Sequence, residues 1–156
     1  MHERAAEFVE RAREEYGVAV DVHEFENGTK TAADAADAIG CDVAQIASSI
    51  VVVTDDDPVV VVTSGANRVD LDKVAVYQDA TDARMAEADE VKEATGWSIG
   101  GVPPICHATD VPVLLDRSLL DHEEVWAAAG TPDAVWPIDP GRLRDLADAE
   151  PADVAE

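Results

Sequence analysis

The two longest unbroken runs of isoleucine and valine in this 156-residue chain are Ile50-Val-Val-Val53 and Val59-Val-Val-Val62. Both are β-branched and only strand-sized, far short of the ~18 apolar residues that cross a bilayer as a helix. They mark two strands, Ser49–Thr54 and Val59–Thr63, joined by the acidic turn Asp55-Asp-Asp-Pro58. No transmembrane helix is expected. The first residues lack a basic stretch followed by an apolar core, so no signal peptide is expected either, and a cytoplasmic location follows. At about 100–200 residues per domain, the chain is one domain. Its expected span is 1–150, with an acidic tail, 151–156, that frays.

Other elements read from local signals. Residues 3–16 carry Ala5, Phe8, Val9, Ala12 and Tyr16 along one side of a helix closed by Gly17. Val18–Phe25 alternates as a half-buried strand before an Asn27-Gly28 turn. Thr31 caps a helix over Ala32–Ile39 that Gly40 stops, and Asp42 starts a second short helix to about Ala47. Ser64–Asn67 is a loop, Asp70 opens a helix over Leu71–Tyr77, and Ala83–Ala86 is a brief strand. Asp89–Thr95 is helical up to Gly96. Val111–Asp116, Glu124–Ala129 and Ala134–Ile138 read as strands, and Asp139 with Pro140 starts a last helix. Strands and helices mix without strict alternation, so the fold class is α/β (α+β mixed), a mixed sheet flanked by helices.

Charge narrows the setting. With 34 acidic and 11 basic residues the formal net charge is −23, yet 47% of residues are hydrophobic, which argues against disorder. Only Lys30, Lys73 and Lys92 are lysines. Such a chain repels itself in dilute solution, whereas at ~1 M salt the Debye length falls to about 3 Å and the repulsion is screened. A salt-accumulating, halophilic host is expected. Cys41 and Cys106 form neither a disulfide framework nor a CxxC pair, and read as reduced thiols.

The least regular stretch is Trp97-Ser-Ile-Gly-Gly-Val-Pro-Pro-Ile-Cys-His107. Its glycines and prolines exclude helix and central strand. Gly100 and Gly101 let a ligand approach backbone amides, and Pro103 and Pro104 stiffen the chain, which suits binding a carbonyl, carboxylate or phosphate. A plain structural turn is the competing reading. Neither GxxxxGK[ST] nor GxGxxG is present. His2, His23, His107 and His122 show no ligand spacing, and no metal site is expected. Adjacent in an extended loop, Cys106 and His107 point apart; a small buried residue is the reading for Cys106. Ser48 and Ser49 stand at the junction with the first valine strand, either as helix-end residues or as a pocket wall. Asp116, at a strand end, either holds a loop or begins a turn.

The order of these segments resembles the YbaK/ProX family of aminoacyl-tRNA editing domains, related to the insertion domain of bacterial prolyl-tRNA synthetases. The resemblance covers about residues 20–147. Thr31-Ala-Ala-Asp-Ala-Ala-Asp-Ala-Ile-Gly40 is similar to the family's TAxEAAxxxG helix, and Gln45-Ile-Ala-Ser-Ser-Ile-Val-Val52 to its QxxK[ST]LVF junction. Ser64–Asp72 is similar to its "rvdlkkl" segment, and Thr95-Gly-Trp-Ser-Ile-Gly-Gly-Val-Pro-Pro104 to its GxxxGGVxP loop. Val113–Leu119 and Val125–Gly130 follow as its "vfiDxsl" and "vwvsaG" strands.

This resemblance implies a partly barrel-like mixed sheet and hydrolysis of the ester between a wrong amino acid and the tRNA 3′ adenosine. Amides around Gly100, Gly101 and Val102 would orient the ester carbonyl and stabilise its oxyanion, with Ser48 beside them. Water would attack with help from the substrate's own ribose hydroxyl, and no cofactor is implied. Thr31, Ser49, Pro103, Pro104, Arg68 and Asp116 are the implied substrate-binding residues. The implied partners are misacylated tRNA, through its 3′ aminoacyl-adenosine, and an aminoacyl-tRNA synthetase; membrane and DNA are not expected.

Two positions depart from the family pattern. Ser48 replaces its lysine, and Cys106 replaces the glycine that commonly follows the proline pair. Lys30 or Arg68 could supply the missing cation. Because a −23 chain repels tRNA, a local basic patch of Arg68, Lys73 and Arg84 is expected. The alternative is an inactive relative that binds a tRNA 3′ end, a nucleotide, an amino acid or a synthetase. A thiol function for Cys106 is a third reading.

Overall fold

The computed structural model describes residues 2–25 and 31–156. The expected valine hairpin is its centre: β2 (Ile46–Thr54) pairs antiparallel with β3 (Asp57–Ser64), from Ala47↔Ser64 to Thr54↔Asp57. The turn is tighter than expected. Asp57 and Pro58 already belong to β3, and only Asp55 and Asp56 turn, with φ of 47° and 75°. Two successive residues at positive φ match the right-handed twist of a two-residue hairpin.

Around the hairpin stand β1 (His23–Glu24), β4 (Ala83–Met85), β5 (Val113–Asp116), β6 (Val125–Ala128), β7 (Ala134–Ile138) and β8 (Glu150–Ala152). They form one mixed sheet in the order β1-β7-β6-β2-β3-β5-β8, with β4 added to β2. The β2–β6, β3–β5 and β5–β8 pairs are parallel and the rest antiparallel.

Five helices flank the sheet among the described residues: α1 (Glu3–Tyr16), α2 (Ala32–Ile39), α3 (Leu71–Tyr77), α4 (Ala88–Thr95) and α5 (Pro140–Ala147). The starts of α2, α3 and α5 are those the local signals predict, whereas α4 begins one residue early, at Ala88 after Glu87. Thr31 Oγ1 accepts from Asp34 N at 3.1 Å, Asp70 Oδ1 from Asp72 N at 3.0 Å, and Asp139 Oδ1 from Arg142 N at 3.0 Å. Each side chain satisfies an amide that the first helical turn leaves unpaired.

Alternate residues of the hairpin serve two cores. Ala47, Val51, Val60 and Val62 face Phe8 and Ala12 of α1, with Trp97 and Trp136. Val52, Val59 and Val61 face Val74 of α3 and Leu114. Ile46 packs on Ala35 and Ala36 of α2. With both faces covered, β2 and β3 can be nearly continuous valine.

Four expectations are corrected. The strand expected over Val18–Phe25 is reduced to His23–Glu24, paired with Val135 and Ala134 of β7; in that register Asp21 would face Pro137, which has no N–H to continue the ladder. The helix expected from Asp42 to Ala47 is a 3₁₀ turn, Val43–Gln45, since Ile46 and Ala47 already pair with β6. The tail expected to fray instead forms β8, crossing the expected boundary at 150. Ala152 and Val154 are fully buried, Val69 bridges Ala155, and Glu156 N donates to Arg68 O at 2.9 Å. Small apolar residues between the acids drive that docking. The basic patch is likewise not free: Arg84 forms two 2.7 Å bonds to Glu90, and Lys73 holds Asp153 and the Ala155 carbonyl. The Asn27-Gly28 turn and Lys30 lie outside the described residues. No described helix is long and apolar enough to cross a membrane.

Candidate functional site

A cleft of about 570 Å³ opens where β2 passes between β4 and β6. Its lining takes in Ser48–Val51, Thr31 with Ala32 and Ala35 of α2, and Ile99, Gly100 and Val102. Of the residues the sequence singled out, Thr31, Ser48, Ser49, Gly100 and Val102 therefore meet at one place. The hydroxyls of Ser48 and Ser49 cannot share a face of the strand, since successive side chains alternate. The cleft touches both because it wraps around the strand edge.

The glycine–proline loop is built around a turn. Gly101 N donates to Ser98 O at 3.0 Å, and Gly100 sits at φ +88°, the conformation a type II turn needs at its third residue. This corrects the expected trio of amides. The Gly101 N–H is consumed by the turn, and Gly101 is packed against the Thr131 backbone, where a Cβ would lie 2.7 Å from Thr131 Cα. The Gly100 N–H stays outside that bond. Pro103 and Pro104 are buried behind the turn rather than lining the cleft.

Side chains behind the loop hold it in place. Trp97 is fully buried, and its Nε1 donates to Cys106 O at 2.9 Å, closing the segment on itself. His107 Nε2 donates to Pro103 O at 2.7 Å. Burial lowers the His107 pKa, the Pro103 bond opposes this, and nearby Arg11 lowers it further; the net shift is downward. Cys106 is fully buried at φ 66°, and burial, aided by Glu15 and opposed by Arg11, raises its thiol to about 12. A thiol held neutral behind the loop is no nucleophile, and Cys106 and His107 line none of the cleft.

Asp116 and Arg68 are elsewhere. Asp116 is 2% exposed and accepts from Ser64 N at 3.1 Å, Asn67 Nδ2 at 2.9 Å and Ser118 N at 3.0 Å. Of its two sequence readings, holding a loop is the one the geometry supports. Arg68 is exposed and does not line the cleft.

Several lining residues were missed by sequence reasoning. Met85 and Ile99 are two large exposed hydrophobics in its lining, which also takes in Trp126, Pro132 and Asp133. Asp133 is the only ionisable side chain lining the cleft among the described residues. Nothing local distinguishes it from the other aspartates; only the β6–β7 connection brings it here. No described group of three or more His, Cys, Asp or Glu could hold a metal ion.

The valine hairpin, the Gly-Gly turn and most of the cleft lining fall within one stretch of the chain that a family model covers. The family model described as the aminoacyl-tRNA editing domain matches residues 26–146, and the chain belongs to that family. A solved structure described as a "putative trans-editing enzyme for prolyl tRNA synthetase" is 40% identical, with a TM-score of 0.92 over 100% of this chain and 99% of that one. The structure of hypothetical protein APE2540 is 28% identical, with a TM-score of 0.86 over 96% and 99% of the two chains. The uncharacterized protein YwhH of Bacillus subtilis (strain 168) is 34% identical over 127 residues, 81% of this chain and 80% of that protein.

Proposed function

We propose that the protein is a free-standing aminoacyl-tRNA deacylase, hydrolysing the ester that joins a wrong amino acid to the 3′ adenosine of tRNA. The observation that carries this reading is the cleft itself. Its lining brings Gly100, the exposed third residue of the turn, together with the Ser48–Val51 stretch, and the cysteine and histidine nearest the loop stay outside it. The hydroxyls of Thr31, Ser48 and Ser49 have no histidine or lysine beside them in the lining among the described residues to activate them, so such a site can polarise an ester carbonyl and leave the attack to water.

Water then attacks the carbonyl carbon, assisted by the ribose hydroxyl next to the ester. The carbonyl oxygen takes the developing charge towards the Gly100 amide. As the tetrahedral species collapses, the ester C–O bond breaks, the ribose oxygen is protonated, and free amino acid and tRNA leave. Ser48 supplies a hydrogen bond where the family has a lysine. Exchanging a charge-assisted contact for a neutral one costs about 1–2 kcal/mol, so turnover is slower than with the lysine. The description of the 40%-identical structure makes mischarged proline tRNA the first substrate to try, and the family resemblance suggests alanine or cysteine as the amino acid on it. The acidic composition fits work in a salt-rich cytoplasm.

The test is deacylation of a panel of labelled aminoacyl-tRNAs in about 2–3 M KCl, where surface charge is screened. Turnover of one mischarged species by the wild type is expected, faster in Ser48→Lys. No turnover in the wild type with a gain in Ser48→Lys would favour the second reading, which Ser48 itself motivates: a binding module for the tRNA 3′ end or a synthetase. No turnover by either would sink the hydrolase.

A further inference from the structure

Two strands flank β2 on the edge away from β3, and they do not meet. β6 pairs with Ile46 and Ala47 only, and β4 with Val52–Thr54 only. Between them, Ser48–Val51 have no strand partner on that edge among the described residues.

The ladder itself tells which groups face the opening. Gly65 N donates to Ile46 O at 2.8 Å on the β3 edge, whereas Ala86 N donates to Val51 O at 3.0 Å on the other. Backbone polar groups alternate between edges residue by residue. Even-numbered residues of β2 thus address β3, and Ser49 directs both its N–H and its C=O into the gap. Had β6 continued, the Ala128 carbonyl would meet Ser49 N–H. Instead it accepts from Trp136 Nε1 at 3.1 Å, and the register stops at Ala47↔Ala127. Ser49 Oγ is buried, with no hydrogen-bond partner among the described residues. Ser48–Val51 all line the cleft. Strand backbone is almost always paired, with protein or with water, so this donor and acceptor, which have no strand partner among the described residues, are open to a ligand.

An aminoacyl ester carries the complementary set at the spacing of one residue: a carbonyl that accepts and an α-ammonium that donates. We propose that the aminoacyl group docks as a one-residue strand in this gap, its carbonyl on Ser49 N–H and its α-ammonium on Ser49 C=O. The proposal rests on the deacylase reading. It assigns recognition of the α-amino group to backbone and leaves the rest of the cleft to sort side chains. It also gives the carbonyl a second donor opposite Gly100.

The test uses two hydrolysis-resistant probes, 3′-alanylamino-3′-deoxyadenosine and its 3′-propionylamino counterpart, which lacks the ammonium. Each is titrated into isotopically labelled protein in molar KCl. The alanyl probe is expected to move both the Ser49 amide and carbonyl resonances and to bind at least ~10-fold more tightly than the propionyl probe, the scale of one charge-assisted bond. The propionyl probe should move the amide alone. Ser49→Ala keeps the backbone groups and should keep the ratio of the two affinities. A ratio near one in that variant would assign the recognition to the hydroxyl and overturn the proposal. Shifts at Gly100 and Ala128 with Ser49 silent would also overturn it while leaving the deacylase reading intact. Failure of both probes to bind would remove the reading and the proposal together.

Discussion

The guanidinium of Arg4 lies 4.1 Å from the centre of the Trp97 ring and donates to the Gly96 carbonyl at the start of the glycine–proline loop. Phe8 meets the same ring edge-on at 6.1 Å, and Arg11 stands 5.7 Å from it. Helix α1 precedes the stretch that the family model covers, yet it grips the residue from which the Gly100 turn hangs. Arg4→Ala is expected to cost about 1–3 kcal/mol, from a cation–π contact of ~0.5–2 kcal/mol and a hydrogen bond of ~1 kcal/mol. Denaturant unfolding in molar KCl measures it. Arg4→Lys should recover less than half, because an ammonium cannot stack flat on indole while reaching Gly96.

The two glycines of the turn should respond differently to alanine. At Gly101 a Cβ meets the Thr131 backbone at 2.7–3.0 Å, so Gly101→Ala is an overpacking change worth about 1–3 kcal/mol. At Gly100 the nearest atom is Pro132 Cγ at 3.5 Å, so Gly100→Ala suffers mainly from its φ of +88°, about 1–2 kcal/mol. Both should lower deacylation. Melting curves run beside the assay should show the larger loss of stability in Gly101→Ala, and the reverse order would contradict the packing described.

Asp116 provides an acid-sensitive anchor. Burial pushes its carboxyl up, but the bonds from Asn67, Ser118 and the Ser64 amide outweigh burial and hold it below the ordinary carboxylate range. A carboxyl whose pKa is lower folded than unfolded contributes stability above about pH 4 and loses it as the pH falls. Asp116→Asn should flatten this acid limb of the stability curve. Asp116→Ala should cost about 2–3 kcal/mol by orphaning buried donors. An unchanged acid limb in Asp116→Asn would exclude Asp116 as its source.

The two thiols should separate cleanly. Cys41 is half-buried and Cys106 fully buried, so a thiol reagent at pH 8.5 should label one cysteine in the native protein and both after unfolding. With its thiol raised to about 12 when folded, Cys106 stabilises the fold below the unfolded-state pKa, near 8.5–9, and that contribution is lost as the pH climbs towards 12. Cys106→Ala should leave deacylation in place, and a loss of turnover without a loss of stability would revive a thiol role.

Salt should stabilise this chain. At −23 the compact state carries strong self-repulsion. Raising KCl from about 0.2 to 2 M is expected to add at least ~1 kcal/mol, a rise in melting temperature of roughly 2–4 °C for a domain of this size. A flat response would remove the argument for a salt-rich setting.

What the sequence disclosed was whatever depends on neighbours in the chain. The caps at Thr31, Asp70 and Asp139, the stops at Gly17, Gly40 and Gly96, and the valine hairpin all read directly. What escaped was set by partners far away. Val18–Phe25 alternates like a strand but finds only two residues of β7 to pair with, and the acidic C-terminal residues pair with β5 because Ala152 and Val154 fill the core beside it. The site followed the same division. Gly100, Val102, Ser48, Ser49 and Thr31 were legible as a set through the family motifs. The use of the Gly101 amide inside its own turn, the retreat of Asp116 from the cleft and the arrival of Asp133 each depend on tertiary geometry.

The β2–β3 hairpin also orders events in time. Eight residue pairs close across a two-residue turn, so this ladder forms at little loop-closure cost and can seed folding. The next partners of β2 come from much further along, Val52↔Met85 from β4 and Ile46↔Trp126 from β6. The second loop is far the longer, so it closes late. Until both arrive, the Ser49 edge is merely the open side of a hairpin, prone to pairing with any exposed strand. Completion of the cleft and protection from aggregation are therefore acquired in the same late step.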